Sequence, residues 1–266
     1  MPPLVGVVGN LSRDRLAGGP ARVGGGPFHC ARGLRALGWP ATIVTKAAAA
    51  EAELVQQLEV IGLPVRWQAS GTTAAFGIEY KGETRRMVVE ALGDPWTPDE
   101  ARGWVAEALG EARWVHVAPL ARNDFPAETL AELARGRQLS LDGQGLVRPA
   151  RLGPLALDAD YDPEILRHVS ILKLAEEEAV VIGATDGPAI GALGVREVVV
   201  TLGPRGALVY AGGAAQHVPT TPREGIDPTG AGDAFAAVYV AARAEGLSPT
   251  TAASRACAVV GGLLAR

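Results

Sequence analysis

Short apolar runs alternate with longer stretches of helical periodicity along the first two thirds of the chain. Residues 4–9 form an apolar run of strand length, and residues 27–37 follow with a helical pattern that ends at Gly38. The other segments predicted here are strands over 41–45, 114–117, 138–141 and 170–173, and helices over 49–61, from Pro98, over 126–135 and over 175–182. Repeated strand–helix units predict an α/β fold, in which a doubly wound, mostly parallel sheet carries helices on both faces.

The last third of the chain changes this pattern. The segments predicted here are a strand over 197–202, a hairpin of strands over 207–210 and 215–218, and helices over 231–245 and 249–264. Gly212-Gly213 supplies the turn of the hairpin. Because no internal repeat or low-complexity linker divides the chain, we expect residues 1–266 to form a single domain.

One segment, at about 72–90, interrupts the α/β alternation. Phe76, Ile78 and Tyr80 recur at a period of two, which is typical of a strand with one apolar face. A second strand follows, and the two are expected to join at Lys81-Gly82. We expect this pair to leave the domain as a small β flap, the lid. An edge hairpin of the main sheet is the alternative.

Composition narrows the class of protein. The 266 residues are 48% hydrophobic and 20% charged, which supports a sizeable core and argues against disorder. The formal net charge of −4 and the absence of a Lys/Arg tract argue against a nucleic-acid partner. Two cysteines, Cys30 and Cys257, cannot build a disulfide framework. The first apolar run is too short for a signal peptide or a membrane span, so we expect a soluble cytoplasmic protein without a membrane partner.

Residues 227–235 read Asp-Pro-Thr-Gly-Ala-Gly-Asp-Ala-Phe and carry the strongest chemical signal. A helix that begins inside this stretch directs unpaired N–H groups and its positive end toward the loop, which creates an anion site. Asp233 would repel a phosphate that is merely bound there. As a base, it would accept the proton of a hydroxyl that attacks the phosphate. A glycine-rich helix start with Asp233 as an ordinary N-terminal charge is the alternative.

This nine-residue stretch resembles the C-terminal signature of the ribokinase-like, phosphofructokinase-B type carbohydrate kinase family. The resemblance implies a ribokinase-like fold and transfer of the ATP γ-phosphoryl group to a hydroxyl of a sugar or polyol. It implies that Asp233 is the catalytic base and that the backbone amides of Gly230, Ala231 and Gly232 form the anion hole. Residues 201–206 resemble the family's Thr-x-Gly-x-x-Gly stretch. The nucleotide-binding residues implied in this way are Thr201, Gly203, Gly206, Thr229, Gly230 and Gly232.

Upstream segments resemble the acceptor side of the same family. Residues 24–38 are similar to its N-terminal Gly-Gly signature, and Asp14 matches the aspartate that holds sugar hydroxyls. Residues 140–149, with Asp142, resemble a compact branch that includes inositol kinase-like members. A loop network without a ligand is the alternative for this last segment. The substrate-binding residues predicted in this way are Asp14, Asn10, Gly24, Gly25, His29, Gln144 and Arg148.

The sequence departs from the family pattern at two positions. His29 stands where the Gly-Gly signature has Asn, which puts the choice of substrate in question. Ala175 replaces the Asn of the family's Asn-x-x-Glu motif, whereas Glu178 keeps its Glu. With Glu178 kept, the resemblance still implies Mg²⁺ held through water at this residue. It also implies a monovalent cation such as K⁺ near Asp227.

The expected partner is a small-molecule sugar or polyol, with inositol-like compounds included. Two alternatives stay open, a nucleoside kinase of the same family and a catalytically weak regulator that binds a nucleotide or sugar. The departures at His29 and Ala175 motivate the second alternative. Lids of this family often pair between subunits, so a homodimer through the lid is expected. Closure of the same apolar face over the protein's own substrate is equally compatible with the sequence.

Overall fold

The computed structural model describes residues 2–81, 84–222 and 227–265. Its strands are β1 (Val5–Asn10), β2 (Ser12–Leu16), β3 (Ala21–Gly24), β4 (Ala41–Ala48), β5 (Val65–Ser70), β6 (Ala74–Lys81), β7 (Thr84–Ala91), β8 (Trp114–Val117), β9 (Gln138–Asp142), β10 (Gly153–Pro154), β11 (Ile171–Ala175), β12 (Glu197–Thr201), β13 (Ala207–Ala211) and β14 (Ala214–Val218). The predicted turn at Gly82 lies outside the described residues.

The predicted helices are present, with bounds that differ by at most three residues where both ends were predicted, and two further short helices have no predicted counterpart. The helices are α1 (Gly26–Leu37), α2 (Ala52–Glu59), α3 (Pro98–Glu100), α4 (Ala106–Leu109), α5 (Ala127–Leu133), α6 (Gln144–Val147), α7 (Glu176–Val181), α8 (Gly187–Ala192), α9 (Ala231–Ala244) and α10 (Pro249–Leu264). Short 3₁₀ turns lie at Ala49–Glu51, Arg122–Asp124, Pro163–His168 and Gly203–Arg205, and a π turn at Ala101–Val105. Within the described ranges, no helix is long and apolar enough to cross a membrane.

The main sheet contains nine of the described strands, in the order β14-β13-β12-β11-β9-β8-β1-β4-β5. The pairs from β12 to β5 are parallel, and the predicted hairpin of β13 and β14 adds two antiparallel strands at one edge. Successive side chains of a strand face opposite sides of the sheet, so β1 buries Val8 on one side and Val7 on the other. The predicted α/β fold with helices on both faces is confirmed.

Two layers of helices cover the sheet. The first layer contains α4, α5, α7 and α8 and packs on Val8 and its neighbours. The second contains α1, α2, α9 and α10, and α9 lies against both α1 and α10. Lys173, near the end of β11, lies with its Nζ atom 3.1 Å from the Cβ position of Gly232 in α9. The start of α9 therefore lies at the edge where the parallel strands end and where ligands of open α/β folds bind.

The lid is a second sheet of five described strands, in the order β10-β7-β6-β2-β3. Strands β6 and β7 form the predicted antiparallel pair, and they belong to this separate sheet, so the edge-hairpin alternative is wrong. Within the lid the sequence pattern misses β2, β3 and β10, and in the main sheet it misses β5. Strand β2 reads Ser-Arg-Asp-Arg-Leu and shows no apolar alternation, because its strand conformation depends on pairing with β6 across more than fifty residues.

Candidate active site

The loop before α9 and the first turn of that helix form an open anion-binding surface. Gly230 precedes the helix with a φ of 75°, a left-handed conformation that favours glycine. The amides of Gly230 and Gly232 have no backbone acceptor among the described residues, whereas the Ala231 amide donates to the Pro228 carbonyl at 3.0 Å. Two of the three predicted amides are therefore open to a ligand, and Asp233 lies in the same turn.

His29 packs directly on this loop. A Cβ atom added to Gly230 would lie 2.0 Å from His29 Nδ1, so only glycine fits beneath the imidazole. The ring of Phe28 meets the His29 ring edge-on, with 5.3 Å between their centroids. The first turn of α1 thus brings a predicted substrate residue against the predicted anion hole.

The lid contributes Asp14, which lies on β2. Its Oδ1 atom accepts a hydrogen bond from the Ser12 hydroxyl at 2.7 Å. A Cβ atom on Gly24 would lie 2.2 Å from Asp14 Oδ2, and one on Gly25 would lie 2.7 Å from the Asn10 carbonyl oxygen. These two glycines make room for the Asp14 carboxylate and for the end of β1.

Asn10 serves the junction between the lid and the main sheet. Its side chain is 2% exposed, and its Nδ2 atom donates to the Asp94 carbonyl at 3.1 Å. Asp94 Oδ2 in turn accepts from the Gly71 amide at 2.6 Å. Gly71 precedes the lid strand β6, and Asp94 follows β7. Asn10 is therefore tied to the two connections that enter and leave the lid.

Two cavities meet at the loop 227–232. The His29 cavity, of about 560 Å³, is lined by Asp14, Arg22, Phe28, His29, Asp227 and Thr229, among others. The Phe235 cavity, of about 350 Å³, is lined by Thr201, Gly203, Gly206, Gly232, Phe235 and Val260, among others. A larger groove of about 850 Å³ lies around Trp39 and Trp114 at the opposite edge of the sheet, away from every predicted site residue.

A buried ion pair lies behind the anion loop. Asp142 ends β9, Lys173 lies beside it on β11, and Lys173 Nζ is 3.1 Å from Asp142 Oδ2. Asp142 Oδ1 accepts from the Gln144 amide at 3.1 Å, and Gln144 Nε2 donates to Asp233 Oδ1 at 3.4 Å. Polar contacts therefore connect the ion pair to the predicted base.

The charges of this cluster act on each other. Desolvation raises the pKa of Asp233 to about 6, and the nearby charge of Asp142 adds to the effect. Burial opposes ionisation of both partners of the ion pair. The attraction of Lys173 nevertheless lowers the pKa of Asp142, and the carboxylates of Asp142, Glu178 and Asp233 raise the pKa of Lys173. At neutral pH both partners are charged and Asp233 is ionised.

Glu178 and Arg148 lie at the rim of this cluster. Glu178 is 3% exposed, burial raises its pKa, and its Oε2 atom accepts from the Ala175 amide at 2.7 Å. The Arg148 guanidinium, which follows α6, has no hydrogen bond or ion pair with any described residue. Its positive charge lowers the pKa values of Asp233 and Glu178, so it lies within electrostatic reach of both.

The metal prediction fits this geometry only through water. Ala175 offers no side-chain oxygen, and one oxygen of Glu178 is already engaged. In the part of the chain that the structure describes, no three carboxylate, imidazole or thiol groups lie close enough together to enclose a metal ion. Mg²⁺ commonly keeps several waters and binds through one or two carboxylates together with substrate phosphates. Glu178 suits such an outer contact.

Lys173 is the residue of this cluster that the motifs do not single out. One signal was available in the sequence. Only three of the 25 basic residues are lysines, and Lys173 ends the strand predicted over 170–173, within the sheet. A lysine is rarely buried unless a counter-charge pairs with it.

Comparison with known proteins gives the same family that the motifs indicate. Residues 19–261 match the pfkB family of carbohydrate kinases. Inositol 3-kinase from Zea mays is 35% identical over 134 residues, which are 47% of this chain and 33% of that protein. Cytidine kinase from Thermococcus kodakarensis is 32% identical over 151 residues, which are 53% of this chain and 51% of that protein. The matches thus span a third to about half the length of these curated relatives.

Solved structures extend the likeness over the whole fold. A pyrophosphate-dependent kinase in the ribokinase family, complexed with a pyrophosphate analog and myo-inositol, superimposes with a TM-score of 0.85. The sequence identity is 22%, and the match covers 98% of this chain and 95% of that one. The predicted ribokinase-like fold is confirmed by this superposition.

Proposed function

Since the chain belongs to the pfkB family of carbohydrate kinases, we propose that it transfers the γ-phosphoryl group of ATP to a hydroxyl of a sugar or polyol. One observation carries the proposal. The Asp233 carboxylate lies in the first turn of α9, next to the loop 227–232 where the His29 and Phe235 cavities meet. A helix start binds the transferring group, and an adjacent carboxylate takes the proton of the attacking hydroxyl.

The reaction follows from this arrangement. The acceptor hydroxyl attacks the γ-phosphorus in line, and its proton passes to Asp233. A new O–P bond forms while the bond to the β–γ bridging oxygen breaks, and ADP leaves. The open amides of Gly230 and Gly232 and the positive end of α9 stabilise the negative charge of the transition state. Positioning and electrostatics supply most of the rate.

We assign the acceptor to the His29 cavity. Asp14 presents a carboxylate there, which can accept hydrogen bonds from two hydroxyls. His29 contacts the anion loop and faces the same space, so it is positioned to sense the acceptor near the transferred phosphoryl group. Gly24, Gly25 and Asn10 support this side of the site by shaping the junction with the lid.

The phosphate donor belongs in the Phe235 cavity. Thr201, Gly203 and Gly206 form the turn at the end of β12 that lines one wall. Phe235 and Val260 provide apolar surface on which a flat base can pack. Arg148 and Gln144 lie on the phosphate side of the site, and the unpaired guanidinium of Arg148 suits a phosphate oxygen.

Cations complete the proposed site. Mg²⁺, when bound, neutralises charge on the donor phosphates, and Glu178 would hold it through water. The K⁺ site near Asp227 stays a prediction. Asp227 Oδ1 accepts from the Thr229 amide at 2.9 Å and thereby fixes the start of the anion loop.

The lid is proposed to exclude water from the acceptor. Asp14 and Phe76 are neighbours in the pairing of β2 with β6, so they share one face of the lid. The other face carries ion pairs such as Arg13 with Glu51 and Arg15 with Glu90. Pairing of two lids in a homodimer stays a proposal. Sedimentation at several protein concentrations tests it, and a monomer throughout would reject it.

ATP consumption by the purified protein tests the proposed function. The acceptor panel contains sugars, inositols, nucleosides and keto acids, and ³¹P NMR identifies the phosphate monoester. We expect a sugar or polyol to be phosphorylated. Turnover of nucleosides alone would favour the nucleoside-kinase alternative. A panel without any turnover would favour a binding protein that has lost catalysis.

The donor requires a separate comparison, because the solved neighbour described above is a pyrophosphate-dependent kinase. We expect kcat/KM to be higher with ATP than with pyrophosphate, since pyrophosphate would leave the apolar Phe235 cavity empty. Val260→Trp should raise KM for ATP and leave any pyrophosphate-dependent turnover unchanged. Ala258→Trp, on the exposed side of the same helix, is the matched control.

A further inference from the structure

The Asp142–Lys173 ion pair has an unusual location for two charged side chains. Asp142 is fully buried and Lys173 is 4% exposed, and the two lie side by side at the ends of neighbouring parallel strands. Burying two charges costs free energy that their attraction must offset. A pair at this depth therefore calls for an explanation beyond the stability of the sheet.

The pair reaches Asp233 by two routes. Lys173 Nζ lies 3.1 Å from the position that a Cβ atom on Gly232 would take, so the ammonium sits directly behind the anion loop. Asp142 fixes the Gln144 amide, and the Gln144 side chain contacts Asp233 Oδ1. Lys173 acts on Asp233 through its charge, and Asp142 acts through Gln144, whose hydrogen bond orients the Asp233 carboxylate.

We propose that Asp142 and Lys173 are positioning residues, which together set the ionisation of the Asp233 carboxylate and its aim at the acceptor hydroxyl. Lys173 favours the ionised base, and Asp142 opposes it while holding Lys173 and Gln144 in place. The role of Asp233 as the base rests on the proposed function. The electrostatic coupling among the three side chains does not depend on it.

Among the other groups around Asp233, two are neutral at pH 7 and one is a second cation. Burial lowers the pKa of His116 to about 4 and raises the pKa of Cys30, so both side chains are neutral at pH 7. Glu178 acts on Lys173, and Arg148 is the second cation that acts on Asp233. Asp142, Lys173, Arg148 and Cys30 interact electrostatically with Asp233, and Gln144 donates a hydrogen bond to it. His116 and Glu178 act on the ion pair, and His29 packs on Gly230.

The two partners of the ion pair should act in opposite directions. Lys173→Met removes a positive charge that favours the ionised Asp233 carboxylate, which should move the midpoint of Asp233 ionisation upward by about one pH unit. In Asp142→Asn, the positive charge of Lys173 faces Asp233 alone, which should move the midpoint downward by about one pH unit. A purely structural ion pair predicts loss of activity at every pH without opposite shifts.

The experiment measures the midpoint of Asp233 ionisation in two ways, by NMR titration and by the pH dependence of turnover. Carboxyl titration by ¹³C NMR of aspartate-labelled protein, with Asp233→Asn to assign the signal, gives the midpoint without any assay. The acid limb of kcat/KM against pH gives it a second time. Glu197→Gln removes a charge from a buried ion pair far from the site, and we expect it to leave the limb where it is.

Shifts of opposite sign in the two variants would support the proposal. Unchanged midpoints, or shifts of the same sign, would overturn it. If Lys173→Met does not fold, Asp142→Asn still gives the downward shift, and the double variant Lys173→Met/Asp142→Asn should restore the midpoint to within about half a unit of the wild type. Absence of kinase activity in the wild type would overturn the proposed function instead, and the NMR titration would still test the coupling.

Discussion

The two ends of α9 make opposite use of charge. At its C-terminal end, Arg243 donates to both carboxylate oxygens of Glu197 at 3.0–3.1 Å, and Tyr239 donates to the same carboxylate at 2.6 Å. Arg243 also donates to the Leu247 carbonyl, and a cation at a helix C-terminus is favoured by the helix dipole. Every charge at this end is matched within the protein, which serves stability.

The N-terminal end leaves its groups unmatched. Two loop amides lack a backbone acceptor among the described residues, and the Asp233 carboxylate accepts a long hydrogen bond, of 3.4 Å, from Gln144 Nε2. Desolvation raises the pKa of Asp233 although the helix dipole favours its charge. Unmatched polar groups cost stability and are available to a ligand. One helix thus stabilises the fold at its C-terminal end and leaves its N-terminal end available to a reacting group.

The largest expected effect comes from Asp233→Asn at the unmatched end. The amide cannot accept the hydroxyl proton, so kcat should fall roughly 100- to 10,000-fold. ATP binding, followed by calorimetry, should stay nearly unchanged because the amides and the Phe235 cavity are intact. Near-normal turnover would show that Asp233 is not the base and that the N-terminal end of α9 does not serve catalysis through it.

The matched end should show its effect in stability. Glu197→Gln leaves Arg243 with half of its pairing and should lower the free energy of unfolding by about 3 kcal/mol. Urea unfolding measures that difference. Turnover per folded molecule should stay at the wild-type value, and a loss of turnover would mean that both ends of α9 serve catalysis.

A glycine at each end of α9 allows the effect of backbone strain to be separated from the effect of the His29 contact. Gly230 and Gly246 both have positive φ, of 75° and 94°, so alanine strains the backbone at either position by about 1 kcal/mol. A Cβ atom at Gly246 meets no atom within 4 Å, whereas one at Gly230 collides with His29. Gly230→Ala should therefore lower kcat/KM about 10- to 100-fold, and Gly246→Ala should only lower stability. Equal activities in the two variants would contradict the His29 contact.

The smallest effect concerns pH and stability. Asp233 has a raised pKa of about 6, so the folded protein binds its proton more tightly than the unfolded chain does. This group contributes stability at acid pH that is lost as pH rises from about 4 through 6. Asp233→Asn should therefore be more stable than the wild type by about 1–2 kcal/mol at pH 7, and by much less at pH 4. Thermal unfolding at the two pH values measures the difference.

Helices with a capping residue and a regular apolar periodicity could be predicted from the local sequence. Helix α10 spans Pro249–Leu264, as its Ser248 cap and apolar periodicity indicate, and the Ser248 hydroxyl accepts from the Thr251 amide. Thr97 likewise caps α3, where Glu100 completes a capping box. Such signals lie within a few residues of each other, so the sequence displays them directly.

Elements that depend on distant partners escaped prediction. Strands β2 and β3 are short and rich in arginine, and they become strands because β2 pairs with β6 and β3 pairs with β2. Asn10 also has a partner that the sequence does not reveal. Its Nδ2 atom donates to the Asp94 carbonyl, 84 residues further along the chain, and its predicted substrate contact stays a prediction.

The α/β fold, the family and the loop that precedes α9 could all be predicted from the sequence. Those features follow from periodicity and from a contiguous motif, which need no knowledge of distant contacts. The pairing of Lys173 with Asp142 behind Gly232 and the contact of His29 with Gly230 could not be predicted from the sequence and are seen in the folded structure. Strand register and helix packing bring these groups together across 31 to 201 residues of chain. The charge balance around Asp233 is therefore a property of the folded protein and not of any segment of its sequence.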